Sequence, residues 1–204
     1  MENKSYLDNV IKCWGVKSAE DLYHYHDNDW GLPVSDDFRL FEKMTLESFQ
    51  SGLSWRTILN KRDNFRQAFF QFDFNRVAGL VESDVEELLT NAGIIRHRGK
   101  IEAAINNAKC AQSIGKEFGS FAAYIWTWEP ANVADDNEAR PSATDESKKL
   151  SADLKRRGWK FFGPTTAYAF MQTAGLVNDH RKECGCYTKV EQARKAFARP
   201  TPIR

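Results

Sequence analysis

The chain has 204 residues, 42% of them hydrophobic and 13% aromatic, enough to bury a core of its own. Its 29 Lys and Arg against 28 Asp and Glu leave a formal charge of +1, which neither requires nor excludes nucleic acid, because a basic face can bind phosphate while acidic residues lie elsewhere. No apolar run approaches the roughly 18 residues of a membrane span, and residues 1–12 are too polar for a signal core. The expectation is a cytoplasmic monomer whose 4 cysteines are thiols or metal ligands rather than disulfides.

The periodicity is helical nearly throughout, so the predicted fold class is all-α, one domain over 1–204. Asp36 or Asp37 caps a helix in which Phe38, Phe41, Met44, Thr45 and Phe49 recur at helical spacing. Glu47 falls near its end, before the break at Ser51-Gly52-Leu53-Ser54. A second helix carries Trp55, Ile58, Leu59, Phe65 and Phe69 towards a turn at Phe72-Asp73. Ser83 with Glu86 reads as a capping box ahead of Val85, Leu88 and Leu89, and Gly93 as the left-handed cap that ends this helix.

After the turn Ile94-Ile95-Arg96-His97-Arg98-Gly99, a long helix places Ile101, Ala104, Ile105, Ala108 and Ala111 on one face. Residues 83–111 thus form a helix–turn–helix unit with a basic cluster, Arg96, Arg98 and Lys100, at its turn. Ser120 caps a short helix through Phe121 and Ile125; residues 129–142 read as a loop; helix resumes over about 144–158. Pro164 opens a last core helix with Tyr168, Met171 and Ala174, which Gly175 closes. Residues 190–204 read as a flexible basic tail.

Two pairs of soft ligands sit near opposite ends of the chain, Cys13 with His26 and His180 with Cys184. A four-residue spacing puts His180 and Cys184 on one face of a helical turn, and two thiolates with two imidazoles make a closed tetrahedral set of the structural kind. The spacing leaves the alternative open: two buried cysteines and two hydrogen-bonded histidines. Cys186 is a further candidate thiol, and Cys110 reads as core. A second constellation is Glu47 with Trp55, Tyr23 and Tyr25, a carboxylate among aromatics of the kind that holds a base flipped out of a duplex. Gly52-Leu53 beside it is either a plain interhelical turn or an apolar wedge that enters the gap such a base leaves.

Together, Tyr25-His26-Asp27-Asn28-Asp29-Trp30-Gly31, Leu46-Glu47, Gln50-Ser51-Gly52-Leu53-Ser54-Trp55, Ala92 through Ile101, and Gly175-Leu176-Val177-Asn178-Asp179-His180 resemble the 3-methyladenine DNA glycosylase I family, in order, from Cys13 to Tyr187. The resemblance implies a helix-hairpin-helix fold of two helical lobes with a cleft between them. It implies a structural zinc on Cys13, His26, His180 and Cys184, joining the two ends of the chain. It implies a base pocket of Glu47, the catalytic candidate, with Trp55 and Tyr25. It also implies a hairpin, Ile95, Arg96, His97, Arg98, Gly99 and Lys100, that holds backbone phosphates of double-stranded DNA while Gly52 and Leu53 face the duplex. Trp14 and Tyr23 join the pocket set on a shifted spacing: Cys13 and Trp14 are adjacent where the family has an intervening residue, and Tyr23 lies one closer to Tyr25.

The implied reaction is base-excision repair, monofunctional hydrolysis of the N-glycosidic bond of 3-methyladenine with 3-methylguanine as a further candidate, releasing the free base and leaving an abasic site. Two other readings compete. Lys100 beside the hairpin can form a Schiff base, giving a glycosylase with lyase activity. A non-catalytic, zinc-bearing helix-hairpin-helix module accounts for the hairpin and the metal but not for Glu47.

Overall fold

The computed structural model describes Cys13 and residues 20–131 and 141–203. Among these residues all regular structure is helical, in eleven α-helices and one 3-10 turn. In chain order they are α1 (Glu20–Asn28), α2 (Asp37–Gln50), α3 (Trp55–Leu59), α4 (Arg62–Ala68), the 3-10 turn Phe70–Phe72, α5 (Phe74–Val77) and α6 (Glu82–Thr90). There follow α7 (Arg98–Phe118), α8 (Phe121–Trp126), α9 (Asp145–Arg156), α10 (Pro164–Thr173) and α11 (Tyr187–Ala196). Among the described residues no helix is long and apolar enough to cross a membrane.

Helix α2 is the centre of the packing, with every residue from Leu40 to Phe49 buried. Both aspartates at its start serve as caps, for different helices. Asp36 accepts the Arg39 amide of α2 at 2.8 Å, whereas Asp37 accepts the Phe121 and Ala122 amides at 3.1 and 2.7 Å. The free N–H groups of α8 therefore meet a carboxylate from α2, which suits the positive end of a helix dipole. Ser120 caps α8 as the sequence predicts, through the Ala123 amide.

The predicted second helix is broken into α3, α4 and a turn in which Phe70, Gln71 and Phe72 have φ of 53, 57 and 57°. Left-handed backbone costs roughly 1–2 kcal/mol per residue. The turn swings Phe72 onto Phe69, whose ring stacks on Phe65, which in turn meets Phe49. All four are essentially inaccessible to water, and each buried phenyl is worth about 1.5–3 kcal/mol, so the packing outweighs the strain.

Other local signals resolve differently from the sequence reading. Helix α6 starts at Glu82, and it is Asp84, not Ser83 with Glu86, that reaches back to the Val81 amide at 2.7 Å. The turn after it is closed by the Asn91 side chain, which accepts the Gly93 amide, so Gly93 needs no left-handed geometry. Gly175 is left-handed at φ 79°, and a Cβ there would lie 2.5 Å from the Pro33 nitrogen, so only glycine lets the 32–33 segment pass. Helix α9 is capped by Thr144 and α10 opens on Pro164, as predicted. A second helix–turn–helix, α9 with α10, stands beside the predicted one formed by α6 and α7.

The expectation of a flexible tail from residue 190 is corrected over most of its length. Residues Tyr187–Ala196 are helical, Val190 is buried, and the Arg194 guanidinium donates to the Gly175 and Leu176 carbonyls and to Glu129. Those carbonyls at the end of α10 need donors, and a buried arginine supplies them. Farther on, the Ile203 amide donates to the Phe118 carbonyl at 3.0 Å.

Candidate active site and metal centre

The four soft ligands converge. One ligating atom from each of Cys13, His26, His180 and Cys184 lies within 4.8 Å of the others, and all four residues are buried. Three of the sulfur–nitrogen edges are 3.4 Å (Cys13 Sγ to His180 Nδ1), 3.5 Å (Cys184 Sγ to His180 Nδ1) and 3.6 Å (Cys184 Sγ to His26 Nε2). A tetrahedron with the usual zinc–sulfur and zinc–nitrogen bond lengths has such edges of about 3.5 Å, so the donor set fits the ion. The outward nitrogens have acceptors too: His26 Nδ1 faces Asp27 Oδ1 at 2.6 Å and His180 Nε2 faces the Trp30 carbonyl at 3.2 Å. Outer acceptors of this sort fix ring tautomer and orientation at a metal.

The predicted helical turn across His180 and Cys184 is absent. The segment is a chain of turns, closed by the Cys184 amide on the Arg181 carbonyl, and the two side chains meet through that bend instead. Cys186 lies outside the foursome, 3.3 Å from Asp27 Oδ1. Cys110 is half-buried and donates to the Arg157 carbonyl.

One residue from the cluster, α1 turns its other side to α2. Tyr25 is buried, its ring 5.1 Å from that of Trp55 and its hydroxyl 2.6 Å from Thr173 Oγ1. Glu47 is 6% exposed and has no hydrogen-bond partner among the described residues. Burial pushes its carboxyl up to about 8, against the opposing charge of Lys43 one turn earlier on α2. The Tyr25 phenol is raised well above its ordinary value by burial and by the charge of Glu47, which marks the two as electrostatic neighbours. Trp55 Nε1–H is likewise buried without a partner. A lone carboxylate inside a protein is a costly group to keep, and such groups concentrate where a ligand completes them.

Of the other two pocket candidates, Tyr23 alone is among the described residues. Tyr23 is half-buried and two residues from Tyr25, so roughly 200° round the helix from it. Trp14 lies outside the described residues.

The loop after α2 is open. Gly52 has φ 83° with nothing near its notional Cβ, and Leu53 is 40% exposed, so the wedge candidates stand out to solvent. Of the hairpin residues, Arg96 is exposed and has no side-chain partner among the described residues. His97 caps α7 by accepting the Lys100 amide, Gly99 lies in its first turn, and Ile95 packs on the core.

Two hairpin expectations are corrected. Arg98 is already held by Glu82, Glu86 and Glu102, so its charge is compensated within the chain. Lys100 is buried at 8% exposure and donates from Nζ to the Phe49 and Ser51 carbonyls at 2.9 and 2.8 Å. It seals the C-terminal end of α2 instead of facing phosphate, because unpaired carbonyls at a helix end attract a cation. An amine so placed already donates to two backbone carbonyls.

Sequence reasoning missed four residues. Lys43, Asp29 and Thr173 form a buried polar set behind Tyr25; the signal was there in a lysine lying between Leu40, Phe41, Met44 and Leu46 on a buried helix. Phe161 was missed as well: it is 47% exposed, at φ 55°, in the turn between α9 and α10, with its ring against His97 of the neighbouring turn. The Phe161 ring contact joins the turn between α9 and α10 to the turn before α7.

The fold is that of a DNA glycosylase. A crystal structure of 3-methyladenine DNA glycosylase I superposes with a TM-score of 0.82 at 44% identity, covering 87% of this chain and all of that one. A related 3-methyladenine DNA glycosylase I solved in complex with 3-methyladenine gives 0.81 at 35% identity over 86% of this chain and 96% of its own. The particular family follows from sequence. The methyladenine glycosylase profile matches residues 14–188, and DNA-3-methyladenine glycosylase 1 of Escherichia coli K12 is 47% identical over 178 residues, 85% of this chain and 95% of that protein. The chain belongs to the methyladenine glycosylase family.

Proposed function

We propose that the protein excises 3-methyladenine from alkylated double-stranded DNA by hydrolysing the N-glycosidic bond, without a lyase step, and releases the free base. The observation that carries this reading is Glu47, buried and without a hydrogen-bond partner among the described residues, whose charge acts on Tyr25, the ring of which packs on Trp55. Methylation at N3 makes the base a cation and a good leaving group, so the protein's task is to select and hold it. Glu47 accepts hydrogen bonds from the base and favours its cationic form; Trp55 and Tyr25 add cation–π attraction. 3-Methylguanine carries the same charge and is a second candidate substrate.

Zinc on Cys13, His26, His180 and Cys184 is structural in this reading: four protein donors leave no open position for chemistry. The helix–turn–helix formed by α6 and α7 acts as the hairpin, with Arg96 at a backbone phosphate and Leu53 entering the duplex where the base has left.

Incubation with methylated duplex DNA, followed by chromatography of the small-molecule fraction, tests the activity. Free 3-methyladenine is the expected product, and Glu47→Gln is expected to lower its release about 10–100-fold, the worth of a charge-assisted hydrogen bond. No released base from folded, zinc-loaded protein overturns the activity, and full release by the variant overturns the role of Glu47.

A further inference from the structure

Lys43 is 5% exposed, one helical turn before Glu47, and has no part in the base contacts assigned above. Its Nζ donates to Asp29 Oδ1 at 2.6 Å and to Thr173 Oγ1 at 3.2 Å. Asp29 supplies the countercharge that a buried ammonium requires, and is itself gripped by Arg62 at 2.6 Å. The bond to Thr173 is therefore not needed to neutralise the lysine. It leads elsewhere: the same Oγ1 lies 2.6 Å from the Tyr25 hydroxyl.

This chain has a direction. An ammonium only donates, so Lys43 occupies one lone pair of Thr173 Oγ1. Thr173 is 1% exposed, and the acceptor within reach of its own proton, among the described residues, is Tyr25 Oη. Were Tyr25 to donate to Thr173, the threonine proton would be stranded between α2 and α10, an unmade bond worth about 1–3 kcal/mol. With Thr173 donating, the proton left over is that of Tyr25, whose ring lies beside Trp55, where a bound base can accept it. Donation from Lys43 also polarises the threonine hydroxyl and strengthens its onward bond.

We propose that Lys43, acting through Thr173, is a positioning residue that presents Tyr25 to the base as a hydrogen-bond donor, opposite Glu47 as the acceptor. The pocket then reads a base edge with a donor and an acceptor. This rests on the assignment of Tyr25 and Glu47 as the base pocket.

The test is the affinity for free 3-methyladenine, measured by calorimetry on Thr173→Val, Thr173→Ser, Lys43→Met and Tyr25→Phe, each first checked for a cooperative thermal transition. Tyr25→Phe is expected to weaken binding about 10-fold, and Thr173→Val about 3–10-fold. Thr173→Val should add nothing in the Tyr25→Phe background or in the Lys43→Met background, and Thr173→Ser should bind like the unsubstituted protein. A merely structural role for Thr173 gives additive losses in both backgrounds, which overturns the proposal, as does unchanged binding by Thr173→Val. If the unsubstituted protein binds no 3-methyladenine, the functional reading itself fails and takes this one with it; binding with additive losses sinks this one alone.

Discussion

Glu47 is a destabilising residue at neutral pH, and the sign follows from where its proton sits. Its carboxyl titrates near 8 in the folded chain against about 4.3 when unfolded, so between these values the folded state binds more protons. Stability therefore falls as pH rises through that window. Glu47→Gln removes the titration, which is worth about 4 kcal/mol across this range, and its melting temperature should gain on that of the parent by about 8–15 °C between pH 5 and pH 8.5, each kcal/mol being worth roughly 2–4 °C in a chain of this size. A gap that does not change with pH would contradict the burial of this carboxylate. Glu47 was legible in sequence because it interrupts an apolar helix just before a glycine turn. Lys100 was misread for the converse reason. Its neighbours Arg96 and Arg98 suggested phosphate, but the first turn of α7 packs on the end of α2, and a four-carbon stem reaches carbonyls that no local pattern reveals.

At the scale of elements, periodicity disclosed the central helices but not α1 or α11, and helix ends were not legible. Asp37 caps α8 from 84 residues away, and Asp84 displaces the Ser83 pattern at α6; both outcomes depend on which amide the fold brings near. The turn before α7 likewise presents a smaller cationic surface than its sequence suggests, with Arg98 compensated and Lys100 buried. Among the described residues, Arg96 is left as the hairpin cation without a side-chain partner. Arg96→Ala should weaken binding of any duplex, damaged or not, and reduce the salt dependence of affinity by about one counterion, whereas Arg98→Ala should leave that slope unchanged. Titrations at several salt concentrations decide between them. Equal effects of the two substitutions would mean that the Arg98 carboxylate cage opens on binding.

At the scale of the whole molecule, the cluster of Cys13, His26, His180 and Cys184 ties α1 to the turns after α10. Spacing alone left this set ambiguous, because 154 residues separate His26 from His180 and only the packing of α1 on α2 and α3 closes the gap. Cys184→Ser should lose one equivalent of bound zinc by elemental analysis and about 5–15 °C in melting temperature, the order expected for releasing a long closed loop. An unchanged melting curve would mean that the clasp carries no stability. Tyr25 and His26 are consecutive on α1, the first bonded to Thr173 and packed on Trp55, the second 3.6 Å from Cys184. A single peptide unit separates the side chain proposed to meet the base from the one placed among the soft ligands. Their directions leave α1 about 100° apart, so the orientation of the helix that suits one contact also sets the other.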